Sequence, residues 1–229
     1  MLTNHRRALI WSLVLAAALL FVFAGVGRHP SSAAPTTTVP FIGTWDETVF
    51  HAMDDIRDPI LTGIAKVLNF LGSGVVTIPL RIVVAAWLVF RRHWRAFAAW
   101  MSTWALAELV LAMAKPFFHR GRPPLPLVGT VGYSFPSGHA VAGASIGVAL
   151  VLVLLPPGSR RRGWEIGAAG FAFAMALSRV YLNAHWFSDV VAGVLLGTSV
   201  ALGTAAIVTE VRDIWARRRE RRPERAGAG

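Results

Sequence analysis

Long apolar runs broken by short polar islands set the pattern of this chain. Residues 8–27, 75–90, 96–114, 140–155, 164–177 and 190–208 are almost wholly apolar. Several approach the roughly 20 residues that carry a helix across a bilayer. The pattern predicts an all-α polytopic membrane helical bundle with six transmembrane helices. Residues 60–71 are apolar too, but they are short, hold Lys66 and Asn69, and follow Asp46, Glu47, Asp54, Asp55 and Asp58. They read as a short interfacial helix on the outer surface. Gly72-Ser73-Gly74 then breaks the chain. Residues 28–44, rich in Pro, Ser and Thr, read as an extended outside linker. Ser32-Ala33-Ala34 would suit cleavage of a secretory signal, yet the first apolar run is long for one, so an uncleaved first span is expected.

Composition agrees with the membrane reading. The 229 residues are 55% hydrophobic, and the mean hydropathy is +0.54. The net charge of +11 is gathered at His5-Arg6-Arg7, Arg91–Arg95, Arg160-Arg161-Arg162 and Arg212–Arg225, each beside the end of an apolar run. That is the positive-inside pattern, and it puts both termini in the cytoplasm of a multi-pass plasma-membrane protein. Nucleic acid is not an expected partner, because the Arg-rich tail has no aromatic platform beyond Trp215. There is no cysteine, which excludes thiol catalysis and disulfides. Four segments result: a cytoplasmic N-terminus with the first span (1–27), an outside linker with the interfacial helix (28–71), a helical core (72–210) and a basic cytoplasmic tail (211–229).

This topology brings three polar islands to one outside face. The largest is Ser178-Arg179-Val180-Tyr181-Leu182-Asn183-Ala184-His185-Trp186-Phe187-Ser188-Asp189. His185 and Asp189 are four apart, so on a helix they share a face. A carboxylate there would keep one imidazole nitrogen protonated and leave the other free to attack an electrophile. Arg179 adds a forked cation suited to phosphate. Lys115-Pro116-Phe117-Phe118-His119-Arg120-Gly121-Arg122-Pro123 supplies Lys115 and Arg122. Pro136-Ser137-Gly138-His139 makes a tight turn into a helix, where Ser137 and backbone amides suit an anion. Metal spacing is lacking, so charge neutralisation falls to the protein and no metal or cofactor is expected. Phosphoryl transfer through a phosphohistidine suits this set.

These residues resemble the three-part signature of the type 2 phosphatidic acid phosphatase family: Lys115-x6-Arg122-Pro123, Pro136-Ser137-Gly138-His139, and Ser178-Arg179-x5-His185-x3-Asp189. The resemblance covers about residues 72–208. It implies that His185 is the nucleophile and that Asp189 orients it. His139 would protonate the leaving oxygen and then activate water, while Lys115, Arg122, Ser137, Gly138 and Arg179 would hold the phosphate. The implied activity is hydrolysis of a membrane lipid phosphate or isoprenoid pyrophosphate at the extracytoplasmic face. A phosphoryl transferase, a non-catalytic lipid-phosphate binder or transporter, and a haloperoxidase are the rivals, in falling order. Asn183 stands where the family often has glycine, and Phe187 where a small residue or proline is frequent.

Other polar residues carry less. His119 matches no required position and reads as interfacial, and His29, His51 and His93 read as solvated loop residues. The nine tryptophans fit an aromatic belt. Gly143, Gly147, Gly193 and Gly197 predict close helix packing, within the bundle or in a homodimer. Arg81 and Glu108 lie inside adjacent antiparallel spans, where an unpaired charge is costly, so they are expected to pair.

Overall fold

The computed structural model describes residues 5–26 and 40–220. Most of the expected linker, the small-residue stretch Ser32-Ala33-Ala34 and the tail beyond Glu220 lie outside the described residues. Among the described residues the structure is all helical, in the order α1 (His5–Val26), α2 (Pro40–Asp55), α3 (Pro59–Leu71), α4 (Gly74–Phe90), α5 (Trp94–Phe118), α6 (Gly138–Leu154), α7 (Ser159–Tyr181) and α8 (Phe187–Glu220). Of these, α1, α5 and α8 are long and apolar enough to cross a membrane. The pair α3 and α4, bent by 44° at the break between them, would make a fourth. Six spans were expected. The difference arises at α6, which is apolar but only 17 residues long, and at α7, which carries Arg160, Arg161, Arg162, Glu165 and Arg179.

Several element boundaries differ from the sequence reading, among them those of α2 and α8. Residues 40–44, expected as linker, open α2: Pro40 sits at its first position, where a missing N–H costs nothing. The last helix runs past residue 208 through the first basic residues of the tail. Glu210 on this extension meets His5 at the start of α1 at 2.5 Å, so the extension is held by the neighbouring helix.

Helix α3 begins as its sequence dictates. Asp58 caps it, accepting from the amides of Ile60 at 2.8 Å and Leu61 at 3.1 Å, and Pro59 follows. Ile60, Ile64, Val67 and Phe70 are exposed along one side, while Ala65 is buried against Tyr181, Leu182 and Ala184. The Tyr181 hydroxyl also binds the backbone of Asp58. An apolar outer face and a docked inner face suit a helix at the bilayer surface. At its end, a methyl on Gly72 would come 2.6 Å from Met175 Sδ and 2.7 Å from His139 Cδ2. Glycine there lets the α3–α4 break touch the site.

The bundle centres on α8, which packs on α1, α5, α6 and α7. Ser12 of α1 donates to the Ser199 carbonyl at 2.8 Å, and Thr103 of α5 meets Thr204 of α8 at 2.7 Å. The four glycines serve contacts inside this chain: Gly143 and Gly147 face Met175 and Ala168 of α7, and Gly193 and Gly197 of α8 lie against the backbone of α6.

Candidate active site

Three chain segments converge where α5 ends, α6 begins and α7 gives way to α8. Helix α7 closes with the Leu182 amide on the Ser178 carbonyl. Asn183 follows in the left-handed region, with φ 52°. Glycine and asparagine are the residues that enter that region most readily, so asparagine at a place where the family often has glycine keeps the same turn. The Arg179 carbonyl then accepts from the amides of Ala184 and His185. His185 and Asp189 are therefore not on one helix, as the four-residue spacing suggested. His185 lies in the connector, and Asp189 lies in the first turn of α8.

The contact forms all the same. His185 Nδ1 is 3.3 Å from Asp189 Oδ2, and both residues are buried. On its other side, His185 Nε2 is 3.2 Å from Arg122 Nη1. A guanidinium can only donate, so Nε2 presents its lone pair and the ring proton sits on Nδ1, facing the carboxylate. Two independent partners thus select one tautomer. Burial pushes the His185 imidazole down to about 4, against the pull of Asp189, so the ring is neutral near pH 7.

Asp189 is more fully bonded than the sequence suggests. Its Oδ2 also accepts from the Trp186 amide at 2.9 Å and from the Ser134 hydroxyl, and its Oδ1 accepts from Arg120 Nη1 at 2.6 Å. Its carbonyl accepts from the Ser137 amide at 3.0 Å, clipping the second motif to the third. That amide is consequently not a free anion donor, contrary to what the turn alone suggested.

The cations line the same face. Lys115 Nζ donates to the Tyr133 carbonyl at 2.8 Å. Arg122 donates to the carbonyls of Val131, Gly132 and Ala184, at 2.8, 3.0 and 2.7 Å. Burial lowers the affinity of Arg122 for its proton. Arg179 Nη1 donates to Asn69 Oδ1 of α3. His139, in the first turn of α6, reaches the Asn69 carbonyl from Nε2 at 3.0 Å; a carbonyl only accepts, so this nitrogen carries a proton. Ser137 Oγ and Arg179 Nε are buried and have no hydrogen-bond partner among the described residues. Gly138 opens α6 beside them, and a methyl there would meet nothing within 4 Å. All eight expected site residues therefore border one region.

Some residues fall outside the sequence reading. Asn69 was noted only as a polar residue on α3, and Asp46 only as one of several acids. Arg120, 1% exposed, bonds both Asp46 and Asp189. The run Arg120-x-Arg122 was its sole signal, and nothing in it tells a buried guanidinium from a phosphate ligand. His119 ends α5 in the left-handed region with φ 51°, its ring edge-on to Tyr133. Among the described residues no three histidines or acids gather as a metal site.

Together these define a helical membrane protein whose buried His–Asp pair is ringed by phosphate-suited cations. The chain belongs to the PAP2 superfamily, which its residues 96–213 match. It is 30% identical over 158 residues to phosphatidylglycerophosphatase B of Bacillus subtilis, covering 66% of this chain and 77% of that one. It is 30% identical over 148 residues to undecaprenyl-diphosphatase of Sulfolobus acidocaldarius, covering 62% and 68%. The crystal structure of a transmembrane PAP2-type phosphatidylglycerolphosphate phosphatase from Bacillus subtilis superposes with a TM-score of 0.67 at 24% identity. That alignment covers 93% of this chain and 97% of the other, and it shows the fold is shared. At the level of family, this chain is a lipid phosphatase.

Proposed function

We propose that the protein hydrolyses a lipid phosphate or isoprenoid pyrophosphate at the extracytoplasmic face of the plasma membrane, through a phosphohistidine. The observation that carries this reading is the tautomer of His185: Nδ1–H faces Asp189, and the Nε2 lone pair faces Arg122. In the first step Nε2 attacks phosphorus while the bond to the leaving oxygen breaks. His139, held as the imidazolium by the negative charge of the bound phosphate, keeps Nε2–H on the Asn69 carbonyl and passes its Nδ1 proton to that oxygen, which leaves the ring neutral. In the second step His139 takes a proton from water, whose oxygen forms the new bond to phosphorus as the P–N bond breaks, releasing phosphate. Lys115, Arg122 and Arg179 meet the equatorial oxygens, and the buried Ser137 hydroxyl and Arg179 Nε offer unused donors. These residues supply the neutralising charge, so the reaction needs no divalent metal. A non-catalytic binder would have use for the cations but none for the ordered His185–Asp189 pair. The relatives' names point to phosphatidylglycerophosphate and undecaprenyl diphosphate as the first substrates to try. The four basic clusters support a six-span arrangement with both termini inside, which would put the site outside.

The test is release of inorganic phosphate by purified protein from phosphatidylglycerophosphate, phosphatidate and undecaprenyl diphosphate, with and without EDTA. Turnover of at least one, undiminished by EDTA and inhibited by vanadate, is expected. Loss of turnover in EDTA that magnesium restores would overturn the metal-free account.

A further inference from the structure

Asp46 lies on α2, ahead of the matched residues 96–213, and only 1% of its surface is exposed. Its carboxylate accepts from the Ser188 amide at 2.7 Å, from the Ser188 hydroxyl at 2.8 Å and from Arg120 Nη2 at 2.5 Å. The other end of the same guanidinium, Nη1, reaches Asp189 Oδ1 at 2.6 Å and Ser188 Oγ at 2.7 Å. The fork of Arg120 is thus divided, one nitrogen to each acid. Arginine–carboxylate pairs are frequently bidentate, with both oxygens taken in parallel. Here Arg120 takes one, and Asp189 Oδ2 is left to the Trp186 amide, the Ser134 hydroxyl and His185 Nδ1–H.

We infer that Asp46 is a positioning residue for the nucleophile: by holding Arg120 Nη2, it keeps the guanidinium off the Asp189 oxygen that orients His185. The inference rests on the phosphohistidine reading, in which His185 attacks. Burial makes the division matter. Arg120, Asp46 and Asp189 are all about 1% exposed or less, so water cannot replace a lost partner. Without the Asp46 charge, the guanidinium rotates onto Asp189 and competes for Oδ2. The His185–Asp189 contact, already 3.3 Å, is the weakest that oxygen makes and the first to yield. Lys115, Arg122 and Arg179 do not touch Asp46, so phosphate binding is unaffected. A residue of α2 then acts on kcat through two intervening side chains, Arg120 and Asp189.

The experiment compares Asp46→Asn, Ser188→Ala and His185→Asn with the wild type in kcat, KM and vanadate inhibition constant. Asp46→Asn is expected to lower kcat about 10- to 100-fold, the usual cost of losing an outer-shell partner. KM and the vanadate constant should stay within about twofold, since the phosphate-facing cations are intact. Should Asp46→Asn fail to fold, Ser188→Ala removes one hydroxyl and no charge, and it should lower kcat severalfold with the same unchanged KM. Wild-type kcat in a folded Asp46→Asn or Ser188→Ala protein, with His185→Asn inactive, would overturn this inference alone. A loss confined to KM and vanadate binding would overturn it as well, since that marks a fastening of α2 that shapes the phosphate site. Turnover surviving in His185→Asn would instead remove the nucleophile reading beneath it.

Discussion

Arg81 on α4 donates from Nη1 to Glu108 Oε1 on α5 at 2.6 Å, joining two adjacent helices by a charge pair inside their apolar stretches. The pair is lopsided: the Arg81 side chain is 5% exposed and that of Glu108 is 52% exposed. Arg81 also lies over the Trp104 ring at 5.3 Å, and its carbonyl accepts from Trp100 at 3.0 Å. Glu108 lies on α5, one of the helices long and apolar enough to cross a membrane. The cation is shielded by protein and gives the more open carboxylate its charge partner. Glu108 is seven residues before Lys115 on the same helix, so the pair ties α4 to the helix that carries Lys115.

Arg81→Met and Glu108→Gln should each destabilise the protein, and the double change should recover part of the loss, with a coupling of about 0.5–3 kcal/mol. Thermal unfolding in one detergent or nanodisc gives the cycle. Strict additivity would show that the two charges do not depend on each other.

His185→Asn should reduce turnover to below a few per cent of wild type while vanadate still binds, because in the proposed mechanism the cations bind and the imidazole attacks. Asp189→Asn should leave a small residual rate, since it orients rather than reacts. Substantial activity in His185→Asn would assign the nucleophile elsewhere.

The protonation state of His185 is accessible by NMR of histidine-labelled protein, with His185→Asn as the assignment control. Burial disfavours the imidazolium, so the midpoint should fall at about 4 instead of the ordinary 6.5. The ring is then neutral, with its lone pair available, at every pH above that value and is lost as a nucleophile only below it. Asp189→Asn removes a group that favours the charged ring, so the midpoint should drop further. A midpoint at or above 6.5 would contradict the buried, neutral ring.

Sidedness can be read with cysteines, since the chain has none of its own. Gly129 is exposed in the loop between α5 and α6, and a side chain there meets nothing within 4 Å. Gly158 has φ 156°, so the exposed neighbour Ser159 is the better inner position. Gly129→Cys should react with a membrane-impermeant thiol reagent in intact cells, and Ser159→Cys should react only after permeabilisation. The opposite pattern would move the site to the cytoplasmic face.

The three motifs were legible in the sequence because each is local: a few polar residues beside an apolar run, at fixed spacing. The Arg81–Glu108 contact was legible too, because a short turn makes its two helices neighbours. What escaped depends on contacts made across the fold. Arg120 and Asp46 are 74 positions apart, and no periodicity links them. Asn69 meets His139 and Arg179 because Gly72 brings the end of α3 against the site, and a glycine between two apolar runs signals a break without saying what it touches. Asn183 looked like a departure from pattern until its positive φ showed that the turn, rather than the residue, is what the position requires. Phe187 is similar: it opens α8 and stacks on Trp45 of α2, a partner far upstream.

Helices α6 and α8 behave as two blades pinned at one end. The pin is the bond from the Ser137 amide to the Asp189 carbonyl, and just below it Gly193 and Gly197 let the blades touch. A methyl on Gly193 would stand 2.7 Å from the Ser137 carbonyl oxygen, and one on Gly197 would stand 2.6 Å from that of Val141. Either would act as a wedge beneath the pin and turn the separation into rotation. His139 rides on one blade, and Asp189, with His185 just before it, rides on the other. The placing of His139 relative to His185 thus depends on two positions that carry no reactive group at all. Alanine at Gly193 or Gly197 would blunt the chemistry while every residue that performs it stayed in the chain.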